Sequence, residues 1–361
     1  MEALNYLPYN KGVSPNPTGQ ELPQALKSEH PQIKNIAEII QRVNPDIIVL
    51  NEFDRVDQNQ GNLSIFIEQF LHQSQQGQKA VHYPYRYQGP VNSGLVSPFD
   101  LNHNGRQGQL PQDGYGFGYF LGHYGMALLS KFPIKERQIR TFQRFKWADM
   151  PNALAPMHPN TQTPWYEHKV WSQLRLSSKS HWDIPILIGQ STIQLLISHP
   201  TPPVFDGPER RNACRNHDEI RFWYDYISTD KCGYIYDDNG HYGGITPEHG
   251  FVILGDLNAC ANEGDGLTGS IQSLLSHPQI IDSKPESLGA KAHSPNNPFA
   301  KNHTSDWRMR ADYVLPSKPH FTVNASGVFW PSKNSSAHHL VLNRASASDH
   351  RLVWLDLTLN Q

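Results

Sequence analysis

The chain has 361 residues, enough for one large α/β domain with a sizeable core. Apolar residues make up 37% and charged residues 18%, a globular, somewhat polar composition, and 26 Gly with 28 Pro point to long loops. The net charge of −2 gives no global attraction for nucleic acid or an anionic membrane, and no apolar run reaches spanning length.

The first clear element is an amphipathic helix over Pro31 to Val43. Ile33, Ile36, Ala37 and Ile40 share one face, and Pro31 suits the first turn. Pro45 ends it, and Asp46 to Leu50 reads as a buried strand finishing at Asn51-Glu52. A second helix is predicted over Leu63 to Leu71, with Phe66, Ile67 and Phe70 on its apolar side. Tyr83 to Tyr124 is rich in Gly, Pro, Asn and aromatic residues and reads as a long functional loop system. Met126 to Leu129 is a strand, Trp171 to Leu176 alternates in strand fashion, and Ile193 to Ile197 is a strand ending at Ser198-His199. Asn216 and Glu219 have the spacing of a capping box opening a helix through Ile220, Trp223 and Ile227. Strands follow at Phe251 to Leu254, Tyr313 to Leu315 and Leu352 to Leu357, and the polar tract Ser283 to Asp306 reads as a surface loop.

No repeat or boundary divides the chain, so residues 1–361 are read as a single domain, with 1–30 an atypical N-terminus. Cys214, Cys232 and Cys260 lack metal-site spacing, and one disulfide plus a thiol, or three free thiols, both fit. No secretion signal stands at Met1, which read literally means cytoplasmic; a signal lost from before it would mean secreted or periplasmic.

Polar residues recur at the edges of the strands, where α/β sheets place their sites. Asp256 and Asn258, two apart at a strand end, can hold a water and a phosphate oxygen together. Asp349-His350 can supply a metal ligand and a phosphate-stabilising imidazole. Glu52, His199 and the run Arg310-Ala311-Asp312-Tyr313 hold comparable positions. Each alone has a structural reading: a cap for Glu52, a turn for Gly255 to Asn258, a structural imidazole for His199, a surface ion pair for Arg310. The tract Asp206 to Asn212 could bind a substrate anion through arginines such as Arg210, or be a solvated loop. Phe117, Tyr119, Phe120, Tyr124, Trp147, Trp165 and Tyr166 could build a substrate wall or simply pack their loops.

Taken in order, Leu50-Asn51-Glu52, Ser198-His199-Pro200, Gly255-Asp256-Leu257-Asn258, Arg310-Ala311-Asp312-Tyr313 and Ser348-Asp349-His350 form one pattern. With it the chain resembles the endonuclease/exonuclease/phosphatase superfamily, the metal-dependent phosphoesterases related to DNase I, over about Pro31 to Leu357. The resemblance implies a DNase I-like four-layer α/β sandwich, two packed mixed β-sheets flanked by helices. It implies Mg²⁺, with Mn²⁺ as a substitute, bound by Glu52 and by Asp349 as a second metal or phosphate-side ligand. It implies Asp256 as the group that orients and deprotonates water, and Asn258 as the one that holds that water or a phosphate oxygen. His350 would stabilise phosphoryl charge, Asp312 would orient it, and His199 would contact the phosphate or assist the leaving group. Arg210, Arg310 and Tyr124 are the candidate substrate contacts.

The superfamily opens with a strand ending in an Asn of the metal site. Only a few residues precede Asn5 here, so the chain is expected to start inside or just after that motif, without its first strand. The substrate stays open. A small phosphomonoester or phosphodiester leads, nucleic acid under a DNase-like endonuclease is the alternative, and a binding or scaffolding protein with impaired chemistry comes third. The sequence leaves the oligomeric state undetermined.

Overall fold

A computed structural model describes residues 1, 3–7, 16–56, 60–246 and 248–360. In chain order its helices and strands are α1 (Glu21–Lys27), α2 (Pro31–Val43), β1 (Ile47–Asn51), α3 (Gly61–Ile65), β2 (Tyr85–Tyr87), β3 (Met126–Ser130) and β4 (Arg140–Thr141). Then come α4 (His168–Trp171), β5 (His181–Ile188), β6 (Ser191–Ser198), α5 (Arg211–Ile227), β7 (Gly250–Asp256) and α6 (Gly269–Leu275). The last are α7 (Leu288–His293), β8 (Asp312–Pro316), β9 (Phe321–Val328) and β10 (Val353–Leu359). A wider π-type turn extends α3 over Phe66–Leu71.

The strands form a five-stranded sheet in the order β4-β5-β6-β7-β8, a three-stranded sheet β1-β3-β2 and a β9-β10 ribbon. Among these described strands β6 and β7 run parallel, and each other pair is antiparallel. The inward faces of β5, β6 and β7, with Trp182, Ile184, Leu195, Ile197 and Leu254, pack against Met126 and Leu128 of β3, Ile47 and Val49 of β1, and Leu357 and Leu359 of β10. Helices cover the outer faces. Ile220, Trp223 and Ile271 of α5 and α6 seal the five-stranded sheet. Ile33, Ala37, Leu63 and Phe66 of α2 and α3 seal β1 and β3. The result is the four-layer α/β sandwich expected from the sequence, held by apolar faces buried on both sides of each sheet.

The sequence reading of α2 and β1 holds to within a residue or two. Three expectations fail, each for a local reason. Trp171 to Leu176 is not a strand: α4 ends at Trp171 and the chain turns, with the Leu174 amide bonded back to Val170 and Trp171. The true strand is β5, disguised by Asp183 and Pro185. Pro185 is tolerated because its side of the strand faces away from β6, where its carbonyl accepts from Lys135. Asn216 and Glu219 are no capping box, because α5 starts at Arg211 and Asp206 caps it, accepting from the Asn212 and Ala213 amides at 2.8 and 2.9 Å. Ser283 to Asp306 is not a bare loop, since it contains α7, whose cap Ser287 accepts from the Gly289 and Ala290 amides.

At the N-terminus, Ala3–Tyr6 form a short 3₁₀ turn rather than a strand. Among the described residues no strand pairs with β1 on the side away from β3, or with β10 on the side away from β9. The three cysteines are free thiols. No described helix is long and apolar enough to cross a membrane.

Candidate active site

The parallel register of β6 and β7 sets Ile197 beside Leu254. Two residues further on, where both strands end, the same register brings His199 and Asp256 together, with Nε2 3.3 Å from Oδ2. Gly255 makes that approach possible. Its φ is +150°, and a Cβ there would lie 2.0 Å from the Ser198 carbonyl oxygen. Across the sheet Asp256 pairs with Asp312, the first residue of β8. His350, just before β10, reaches in between. Its Nδ1 donates to Asp312 at 2.9 Å, and its Nε2 lies 3.6 Å from Asp256 Oδ2.

These groups form one chain: Asp312, His350, Asp256, His199. Burial alone would raise the pKa of Asp256, but the charge of His350 and the hydrogen bond from His199 outweigh it and hold the carboxyl below the usual carboxylate range. Burial alone would lower the pKa of His350; the Asp312 and Asp256 carboxylates overcome that and raise it well above 6.5. Asp312 is itself raised, by burial first and by Asp256, with His350 opposing. The charge state that follows is an imidazolium between two carboxylates. Access differs along the chain: the His199 side chain is 1% exposed, the His350 side chain 23%. Asp256 Oδ1 accepts from the Asn258 amide at 2.9 Å, and Asn258 Nδ2 donates to the Pro200 carbonyl at 3.2 Å. Asn258 takes φ +50°, a left-handed conformation that Asn tolerates well.

Several supports carried no readable signal in the sequence. Thr304 donates to Asp312 Oδ2 at 2.6 Å and so fixes the carboxylate that orients His350. The Trp307 ring stands edge-on to the His350 ring at 4.6 Å. Asn216 and Glu219 tie α5 to the site loops. Glu219 accepts from the Ser178 and Thr201 amides, both at 2.6 Å, and Asn216 Nδ2 donates to the Thr201 and Leu257 carbonyls. The spacing that resembles a cap is therefore the spacing of two anchors on one helix face. Lys179 is buried close by.

Glu52 directly follows β1 with φ +56° and is half-buried, and among the described residues its carboxylate makes no hydrogen bond or ion pair. The buried Oδ1 of Asn51 beside it also lacks a partner. Asp349 pairs with Arg344 at 3.1 Å, and Arg344 also donates to Asn5 Oδ1 at 2.8 Å, which brings Asn5 beside Asp349. The ligand atoms of Asp256, Asp312 and His350 lie within 4.8 Å of one another, close enough to share a cation. Protonation of His350 removes its lone pair from such a set.

The other candidates lie differently. Arg310 is committed to Asp282 through two hydrogen bonds of 2.7 and 3.1 Å and lies over the Tyr313 ring, so its place is structural. Arg210 is exposed and donates to the Asp265 carbonyl. Tyr124 stacks on His123 with ring centres 3.8 Å apart, near the exposed Phe117. Trp147 is core rather than wall: it is buried, and its Nε1 donates to Asp218 at 2.7 Å.

An endonuclease/exonuclease/phosphatase from Beutenbergia cavernae DSM 12333 shares the fold, with TM-score 0.51 and 17% identity over 99% of this chain and 69% of that one. A family protein from Leptotrichia buccalis C-1013-b gives TM-score 0.47 and 14% identity over 92% of this chain and 94% of its own. The human Nocturnin catalytic domain with bound sulfate gives TM-score 0.47 and 16% identity over 94% and 89%. No curated protein matches in sequence. The model of the Endonuclease/Exonuclease/phosphatase family matches residues 23–350, and the chain belongs to that family.

Proposed function

We propose that this protein is a metal-dependent phosphoesterase that hydrolyses a small phosphomonoester or phosphodiester with an Asp256-activated water. The observation that carries the reading is the chain Asp312, His350, Asp256, His199, in which one ionised carboxylate stands between two imidazoles. Phosphoryl transfer needs little covalent help. It needs a positioned nucleophile and neutralisation of the charge on the phosphoryl oxygens.

The residues present fit a hard divalent cation. Glu52 and Asn51 offer oxygens with no protein partner, which is the donor type Mg²⁺ or Mn²⁺ takes. Glu52 and Asp349 would hold it, and bound there it supplies Lewis-acid polarisation of the phosphate and a more acidic water. The chain's own groups do the rest. Asp256 stays ionised and accepts the water proton at Oδ2. His199, buried behind it, fixes that oxygen by its hydrogen bond. Asn258, aligned by the Pro200 carbonyl, is the candidate for holding the water or a phosphate oxygen. His350, kept protonated by Asp312, donates from Nε2 to the phosphoryl oxygens. Tyr124 and Arg210 are the substrate contacts this reading carries over from the sequence.

The test is turnover of a phosphomonoester, a phosphodiester, plasmid DNA and sphingomyelin, each with Mg²⁺ and with chelator. Mg²⁺-dependent hydrolysis of a small phosphoester, abolished by chelator and reduced about a thousandfold or more by Asp256→Asn and His350→Ala, is expected. Near-normal rates in either variant would refute the roles. Selective cleavage of the plasmid would favour the nucleic-acid reading.

A further inference from the structure

Lys179 is 6% exposed and lies in the segment Ser177 to Ser180 that leads into β5. That segment is clamped to the site. The Ser178 amide donates to Glu219, whose other carboxylate oxygen accepts from Thr201, and Ser178 Oγ donates to the His199 carbonyl at 3.4 Å. The Lys179 carbonyl accepts from the Asn92 amide at 2.8 Å. Gly116 presses on the segment so closely that a Cβ would lie 1.8 Å from the Ser178 carbonyl oxygen. The register of β5 with β6, His181 beside Ser198, continues to place Lys179 across from Pro200.

The ammonium is left without a protein partner. Among the described residues no carboxylate lies within ion-pairing distance, and no hydrogen bond forms at Nζ. It is also not among the sealed polar atoms that lack partners, so its tip meets solvent-accessible space. Burial lowers the pKa of Lys179 and the Arg215 charge adds to that, while the carboxylates of Glu219, Glu52 and Asp256 act from further off to favour the ammonium. Glu219 is already occupied by two amides. The remaining pair are the candidate cation ligand and the water-activating carboxylate. A buried cation without a partner is costly, and a rigid backbone holding it there asks for an anion.

We propose that the Lys179 ammonium is a substrate contact of this site, binding a non-bridging oxygen of the phosphoryl group between Glu52 and Asp256. The proposal rests on the phosphoesterase reading and extends it: no resemblance motif includes this residue. Lys179 adds a positive charge that does not depend on the bound cation, so the site keeps some affinity for phosphate without metal.

The experiment measures binding of inorganic phosphate by calorimetry, with and without Mg²⁺, in the wild type, Lys179→Met and Lys179→Arg, alongside thermal melting. Loss of one charge-assisted hydrogen bond should weaken phosphate binding in Lys179→Met about tenfold to a hundredfold, and Lys179→Arg should recover part of it. The melting temperature of Lys179→Met should be unchanged or higher, because an apolar side chain replaces a buried unpaired charge. A merely structural lysine would give the reverse, a lower melting temperature with unchanged phosphate affinity. Should Lys179→Met fail to fold, Lys179→Gln is measured in the same way. Phosphate affinity within twofold of wild type in a folded variant overturns the proposal, as does a wild type that binds no phosphate. Turnover abolished by Asp256→Asn, with phosphate affinity unmoved in Lys179→Met, sinks the Lys179 role alone. Lys179-dependent phosphate binding with no turnover on any substrate sinks the hydrolase reading alone.

Discussion

Asp256 ends a strand and Glu52 directly follows one, but they are held in different ways. Asp256 stands within the five-stranded sheet. It is flanked by β6 and β8, fixed by His199 and the Asn258 amide, and backed by α5 through Asn216 and Glu219. Glu52 follows β1, and among the described residues that strand pairs on one side only and the Glu52 carboxylate is unpartnered. Asp349, on the same side of the chemistry, depends on Arg344, a side chain 48% exposed. The acid–base half is pre-built by burial. The proposed cation ligands have less protein around them, as is usual where carboxylates are satisfied by a metal rather than by the fold.

That contrast can be broken at either half. Among variants that separate the two halves, the largest effect is expected from Glu52→Gln. Activity at fixed Mg²⁺ should fall about a hundredfold or more, and half-saturating Mg²⁺ should rise, read by metal titration of the rate. If only the rate falls and the Mg²⁺ requirement stays, Glu52 belongs with the acid–base half. Next is Glu219→Ala, which strands two buried amides and should cost about 3 kcal/mol in urea unfolding. A change below about 1 kcal/mol would show that α5 does not brace the site.

Asp312→Asn probes the charge network through pH. His350 is raised well above 6.5 by Asp312 and Asp256 against the effect of burial. Its contribution to stability is therefore complete below its unfolded pKa and lost as pH rises through the folded one. Removing the Asp312 charge lowers that folded pKa. The alkaline limb of the rate profile and the alkaline loss of stability should both move to lower pH. An unmoved alkaline limb would mean that another group sets it. The smallest effect belongs to Arg344→Ala: about 0–1 kcal/mol in stability, with a modest rise in the Mg²⁺ requirement. A large loss of stability there would erase the distinction between the two halves.

The acid–base half was also the more legible in the sequence. Asp256, Asn258 and His199 follow apolar runs whose length and β-branching mark buried strands, so the strand-end reading placed them correctly. Asp312 and His350 were found by motif, and their hydrogen bond follows from β8 pairing with β7. The supports were not legible because they act through turns and tertiary contacts that no local pattern marks. Glu219 acts on residues 41 and 18 positions away, and its local spacing imitates a cap. β5 was missed because Asp183 and Pro185 interrupt the apolar pattern. Asp183 is accommodated by Tyr226 and Gln194, which donate to it at 2.6 and 2.7 Å, although burial still raises its pKa to about 6. Arg310 shows the opposite failure: it lies within a motif, yet its guanidinium is committed to Asp282.

Gly255 works as the spacer gauge of this centre. Its missing side chain lets the Ser198 carbonyl lie where a Cβ would be 2.0 Å away, one residue before His199 and Asp256 meet at 3.3 Å. Even alanine would need a carbon–oxygen gap of about 3.3 Å, so the two strand ends would have to part by about 1 Å. Displacement on that scale can cost about a hundredfold in rate while leaving every reacting group in place. One hydrogen atom in place of a methyl group thus sets how closely Asp256 and His199 can stand.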